Sequence, residues 1–301
     1  MSEPRRYPFV QVDVFTSRQL AGNPLAVFTD GRGLSDLEMQ ALAREMNLSE
    51  TTFVLPRDAA TERARGIRVR IFTVREELPF AGHPTLGTAF VLRGPSEAGE
   101  IVLDLSVGRV PVRFHPSLGP AFGEMTQVDP VFGRVHEREA VAEAAGLDQA
   151  EIDPDLPVET VSTGIPFTVV PLRSLATLRA LRVDVSRMTA YLSGGEGVDA
   201  FYFVTRDTRD PAVRLRARMI FHGGEDPATG SAAGCAAAYM VEHGLARPEE
   251  RVLIEQGAEA LRESRIYVRA ARTGSTVRDV RVGGEVVEVL RGEVTLAGEP
   301  S

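Results

Sequence analysis

The chain is built from a repeat, and the repeat limits what it can fold into. His83-Pro84-Thr85-Leu86-Gly87-Thr88-Ala89 and Asp226-Pro227-Ala228-Thr229-Gly230-Ser231-Ala232 carry Pro, Gly, a hydroxyl residue and Ala at matching places, with Pro84 and Pro227 standing 143 residues apart. Upstream, Gly22-Asn23-Pro24 and Gly164-Ile165-Pro166 recur at an offset of 142, each leading into an apolar stretch. A third echo links Ile67, Val69 and Ile71, which alternate with arginines, to Val213, Leu215, Ala217 and Met219, which do the same. That alternation is the period of a half-buried strand. The reading is a duplicated half of roughly 140 residues. Two like-built sites would then face each other across a pseudo-twofold.

Length and apolar content suit two modest domains: 301 residues, 43% of them hydrophobic. The boundary is expected near the turn-rich stretch Gly119 to Asp129, giving halves at 1–125 and 126–301. A net charge of −8 argues against nucleic acid as a partner, because phosphate binding needs a basic surface. The stretch Met1 to Val14 has no apolar run of signal-peptide length, and no segment has the length of a membrane span. The expectation is a soluble cytoplasmic protein that engages no membrane.

All 34 basic residues are Arg. Without a lysine the chain cannot form a Schiff base or build a Walker A loop. Cys235 is the one cysteine, which removes internal disulfides, thiolate-rich zinc sites and two-thiol catalysis. The five histidines make no HExxH motif or close pair, so no metal is expected.

Gln11 to Phe15 and the stretch through Val27 read as strands. Ser35-Asp36-Leu37-Glu38 is a capping box for a helix that runs to Met46 and stops at a left-handed Asn47. Thr51 to Leu55 reads as a strand. Helices are expected to start at Pro84 and Pro227, since proline suits the first helical position. Strands close the chain at Val252 to Glu255, Ile266 to Arg269, Val277 to Val282 and Val286 to Leu290, the last two as a hairpin around Gly283-Gly284. Because strands follow one another without a helix each time, the fold class is α+β: two pseudo-symmetric halves, each a barrel-like, mostly antiparallel sheet around a central helix.

The two Pro-led helices offer unpaired N–H groups, and Gly87, Thr88, Gly230, Ser231 and Ala232 are small enough to admit a ligand to the backbone or to let the helix pack tightly. Taken alone, Asp226 is a helix cap. His83 holds the equivalent place but is a poor cap, and a histidine there is kept neutral by the helix dipole. Glu50 lies between a helix stop and a strand; in an apolar cleft, desolvation would make it a general acid/base, whereas in solvent it is a loop glutamate. Asp199-Ala200 occupies the comparable place in the second half, so the acid is not cleanly duplicated. Cys235, among alanines, reads as core filler.

Four segments together resemble the PhzF family of phenazine-biosynthesis isomerases, which shares the diaminopimelate epimerase fold. They are Asp13 to Thr16 with Gly22 to Pro24, Ala43 to Thr51, Glu77 to Thr85, and Glu225 to Gly234. The resemblance runs from about residue 8 to about residue 290. It implies Glu50 as the acid/base, with His83 and Asp226 as catalytic partners, and Ser49, Gly82, Gly230 and Ser231 around the substrate carboxylate. It also implies a homodimer. The two epimerase cysteines fall at Ala81 and Thr229, so two-thiol racemisation is not expected. Phe72-Thr73-Val74, where relatives read Phe-Thr-Pro, and a short Phe221 to Gly224 bear on substrate identity.

The resulting expectation is a cofactor-independent isomerase that shifts a proton on a small carboxylated substrate, of the trans-2,3-dihydro-3-hydroxyanthranilate type. A non-catalytic carboxylate binder and an amino-acid racemase or epimerase are the alternatives.

Overall fold

A computed structural model describes residues 3–193, 200–221 and 224–297. The chain divides into two compact units: one takes residues up to Met125 and again from Gly284 onward, the other Thr126–Gly283.

The first unit contains β1 (Arg5–Val14), β2 (Asn23–Phe28), α1 (Asp36–Met46), β3 (Glu50–Val54), α2 (Ala59–Arg65), β4 (Ile67–Thr73), β5 (Glu77–Leu78), α3 (Gly82–Arg93), β6 (Glu100–Leu105), β7 (Gly108–Phe114) and β8 (Gly123–Thr126). In the second unit lie β9 (Val131–His136), α4 (Arg138–Ala145), β10 (Val158–Ser162), β11 (Pro166–Leu172), α5 (Leu175–Ala180), α6 (Val185–Ser193), β12 (Phe201–Thr205), β13 (Val213–Phe221), β14 (Gly224–Asp226), α7 (Gly230–Glu242), β15 (Val252–Gln256), β16 (Ser264–Thr273) and β17 (Thr276–Gly284). A last strand, β18 (Val286–Leu296), returns to the first unit.

The pairing order is the same in both units. β1–β2 is antiparallel, β2–β3 parallel, β3–β4 and β4–β5 antiparallel, β4–β6 parallel and β6–β7 antiparallel. β10–β11, β11–β12, β12–β13, β13–β14, β13–β15 and β15–β16 repeat that series sign for sign. Each sheet is thus mostly antiparallel, and the α+β duplication read from sequence holds.

The ninth strand of each series behaves differently. β9 pairs antiparallel with β10, and β18 pairs antiparallel with β1 over nearly its whole length. The first strand of each series is therefore flanked by the ninth strand of the other. This corrects the boundary expected at 126–301, whose last stretch belongs to the first unit. The observed hairpin is at Gly274, where β17 pairs with β16, while β18, expected to fold back around Gly283-Gly284, pairs along its length with β1. The stretch Gly119 to Asp129, expected as an irregular connection, contains β8.

Each sheet surrounds one buried helix. Residues Gly82 to Ala89 of α3 are all buried, as are twelve of the thirteen residues of α7. Small residues make this possible. A Cβ on Gly87 would stand 2.7 Å from Leu25 and 2.8 Å from Val14, and one on Gly234 would stand 1.8 Å from Oε1 of Gln127. Gly87 therefore serves packing rather than ligand approach, and Thr88 is spent on Thr52, whose hydroxyl lies 2.8 Å from its own. The capping box is present at Ser35, and Asn47 is left-handed as expected.

Both central helices start away from their prolines. α3 begins at Gly82, so Pro84 is its third residue; the first four N–H groups of a helix have no intrahelical partner, and proline costs little there. α7 begins at Gly230, three residues after Pro227, with Thr229 in the capping position. Gly82 and Gly230 open their helices 148 residues apart, so the offset of 143 had matched the wrong residues. A duplicated ion pair confirms the register: Arg70 is bidentate to Glu77 at 2.8 and 2.5 Å, and Arg218 to Glu225 at 2.9 and 2.7 Å. His83 thus corresponds to Ser231, and Asp226 to Leu78. The repeat drifts because its loops differ in length.

Candidate functional site

In the first unit the site residues gather at the start of α3. Glu50 opens β3 and pairs with Thr73 of β4, which fixes it at the strand mouth. Its Oε2 lies 3.3 Å from Nε2 of His83, the second residue of α3; their side chains are 16% and 5% exposed. On the other edge of the ring, Asn23 Nδ2 stands 3.1 Å from Nδ1. Asn23 begins β2 directly after Gly22, whose φ of 66° and 2.3 Å Cβ approach to the Val14 carbonyl admit no side chain. The turn read from sequence therefore delivers a side chain to the ring.

Burial lowers the His83 imidazolium to about 3. The approach to Glu50 is consequently not an ion pair at neutral pH: it sets a carboxyl against an uncharged imidazole. The neutral state matches the sequence expectation, though desolvation rather than the helix dipole is the leading cause. Ala81, in the capping position, supplies no side-chain bond, so the amides at Gly82 and His83 receive no cap from it. Ser49 is half-buried just ahead of β3.

In the second unit Asp226 is not the helix cap that its sequence context suggested. It ends β14, opposite Met219 of β13, and is 8% exposed. Its Oδ2 accepts from Thr229 Oγ1 at 2.7 Å, which holds Pro227 and Ala228 outside the helix. Gly230 and Ser231 are the first two residues of α7, both buried, and Thr229 gives the helix no side-chain cap. Cys235 is fully buried, its thiol raised to about 11 by desolvation, in agreement with a packing role. By the antiparallel register, Ala200 stands where Glu50 stands in the first unit; Asp199, His222 and Gly223 lie outside the described residues.

Sequence reasoning missed two contributors. The Gly-Asn-Pro setting of Asn23 marks it only as a turn residue. Gln256, which bonds the Asp226 corner, carries no motif at all. No group of three metal-capable side chains occurs among the described residues, and no helix among them is long and apolar enough to cross a membrane.

The profile of the phenazine biosynthesis-like protein family matches residues 12–292. The chain belongs to this family. An uncharacterized isomerase of Mesorhizobium japonicum is 37% identical over 299 residues, spanning 95% of this chain and 98% of that protein. The trans-2,3-dihydro-3-hydroxyanthranilate isomerase of Pseudomonas aeruginosa is 35% identical over 289 residues, spanning 96% and 99%. The crystal structure of the PhzF-family phenazine biosynthesis protein of Bacillus anthracis matches with a TM-score of 0.86 at 26% identity, covering 96% of this chain and 99% of that one. The chain is thus a PhzF-family isomerase, and its substrate is a small molecule.

Proposed function

We propose that this isomerase moves a proton between carbons of one small carboxylated substrate, with Glu50 as the carrier. The observation that carries the reading is the Glu50 carboxyl set 3.3 Å from a buried, neutral His83 at the start of α3. Glu50 takes a proton from a C–H bond, the electron pair moves along the conjugated acid, and Glu50 returns the proton at another carbon. His83 orients the carboxyl without adding a charge. The shift is redox-neutral and calls for no electron carrier. The start of α3, which Ala81 leaves without a side-chain cap, suits a substrate carboxylate, and we assign Ser49, the residue before Glu50, to the same task. In the second unit we assign Asp226, Gly230 and Ser231 to substrate handling. The named activity of the Pseudomonas relative makes trans-2,3-dihydro-3-hydroxyanthranilate the first substrate to try. The homodimer and the cytoplasmic location belong to the same proposal and rest on the family resemblance and on composition.

The isomerase relatives set aside the non-catalytic binder. A two-base racemase lacks its thiols: Ala81 and Thr229 stand at those places, and the Thr229 hydroxyl is already donated to Asp226. The test is deuterium uptake from D₂O into trans-2,3-dihydro-3-hydroxyanthranilate. Glu50→Gln is expected to slow exchange and turnover by about 10²- to 10⁴-fold, the usual worth of a general acid/base. Undiminished exchange in that variant refutes the role of Glu50, and inverted stereochemistry in the product restores the racemase.

A further inference from the structure

Gln256, the last residue of β15, is 1% exposed. Its amide is fully used. Oε1 accepts from the Tyr202 hydroxyl at 3.0 Å and from the Thr229 N–H at 3.2 Å, while Nε2 donates to the Asp226 carbonyl at 2.7 Å and to Thr229 Oγ1 at 2.9 Å. The orientation of the amide is forced. Turned over, it would set a nitrogen against the Thr229 N–H and an oxygen against the Asp226 carbonyl. Because an amide nitrogen only donates, the Thr229 hydroxyl accepts from it and directs its own hydrogen to Asp226 Oδ2, 2.7 Å away. Donation therefore runs one way, from Gln256 through Thr229 to the Asp226 carboxyl. The next residue locks the arrangement. Gly257 has a φ of 84°, and a Cβ there would stand 2.4 Å from the Pro227 carbonyl oxygen, so the end of β15 lies directly against the Asp226-Pro227 corner.

We propose that Gln256 is a positioning residue, which acts through the Thr229 hydroxyl to hold the Asp226 carboxyl in its working orientation. The inference rests on the assignment of Asp226 to substrate handling made above. A buried glutamine that served packing alone would need its bonds satisfied; it would not need them ordered so that the last hydrogen falls on a carboxylate.

The test compares Gln256→Glu, Thr229→Val, Thr229→Ser, the double variant Gln256→Glu/Thr229→Val and Asp226→Asn, with trans-2,3-dihydro-3-hydroxyanthranilate as the probe. A glutamate at 256 accepts where Gln256 donated, so the Thr229 hydrogen turns to it and leaves Asp226. Gln256→Glu is expected to lower kcat about tenfold or more with little change in KM, and to cost at most about threefold when Val already replaces Thr229, since residues acting through one another are not additive. Thr229→Ser keeps the hydroxyl and most of kcat; Thr229→Val does not. Additive losses in the double variant, or full kcat in Thr229→Val, overturn the proposal. If Asp226→Asn itself is fully active, the assignment of Asp226 has failed first. Where turnover of the probe is too slow, or Gln256→Glu does not fold, crystal structures decide. Asp226 Oδ2 is expected beyond hydrogen-bond reach of residue 229 in Gln256→Glu and rotated in Thr229→Val; an Asp226 carboxyl unmoved in the Thr229→Val structure overturns the proposal.

Discussion

Replacing Gly257 by alanine tests the packing that supports the second unit's site. The added methyl would stand 2.3 Å from the Arg262 carbonyl oxygen and 2.4 Å from that of Pro227, against an ordinary carbon–oxygen contact of about 3.3 Å. Both neighbours are main chain, so about 1 Å of backbone movement is required rather than a side-chain rotation. Overpacking of this kind costs about 1–3 kcal/mol. The left-handed φ of 84° adds about 1–2 kcal/mol for a residue with a Cβ. Gly274 provides the control: its φ is 60°, and nothing lies within 4 Å of a Cβ there. Gly274→Ala should therefore carry only the conformational part. By differential scanning calorimetry, Gly257→Ala is expected to melt about 2–12 °C below Gly274→Ala, the overpacking part alone at about 2–4 °C per kcal/mol in a chain of this size. Activity should fall with it, because Pro227 cannot move without moving Asp226 and Thr229. Equal melting temperatures for the two variants refute the reasoning.

Two further outcomes follow from buried groups. His83 is held below its unfolded value of 6.5, down to about 3, so between those limits the unfolded chain binds the extra proton and stability falls as pH falls. From pH 6.5 to pH 5 the loss should be about 2 kcal/mol in urea titrations and should vanish in His83→Asn; parallel pH slopes in the two proteins contradict a buried neutral ring. Cys235, with its thiol raised to about 11 and no exposed surface, should resist thiol reagents in the native protein and react fully once the chain is unfolded. Rapid labelling of the folded protein contradicts that placement.

Local chemistry was the most legible part of the sequence. The capping box at Ser35 and the left-handed Asn47 needed only near neighbours, and both are present. Glu50 and His83 were legible because family motifs pointed to them, and the structure brings them within 3.3 Å. Register was harder. A single offset misaligned the repeats, since loop lengths differ before the two central helices, and proline marks neither helix start: Pro84 sits third in α3, where its missing N–H is tolerated, and Pro227 lies outside α7 altogether. Asp226 was misread for the same reason: a cap requires a helix to begin beside it, and α7 waits for Thr229. Gln256 left no trace in the sequence, as one glutamine at a strand end has no spacing to betray it.

The crossing-over of β9 and β18 bears on how such a chain arose. A polypeptide ending after β9 has a first strand with one bare edge and a ninth strand with no bed of its own. Two copies can satisfy each other by trading that strand, much as linked hands close a ring. The 301-residue chain holds the trade within one molecule, so neither half, cut out by itself, owns a finished sheet.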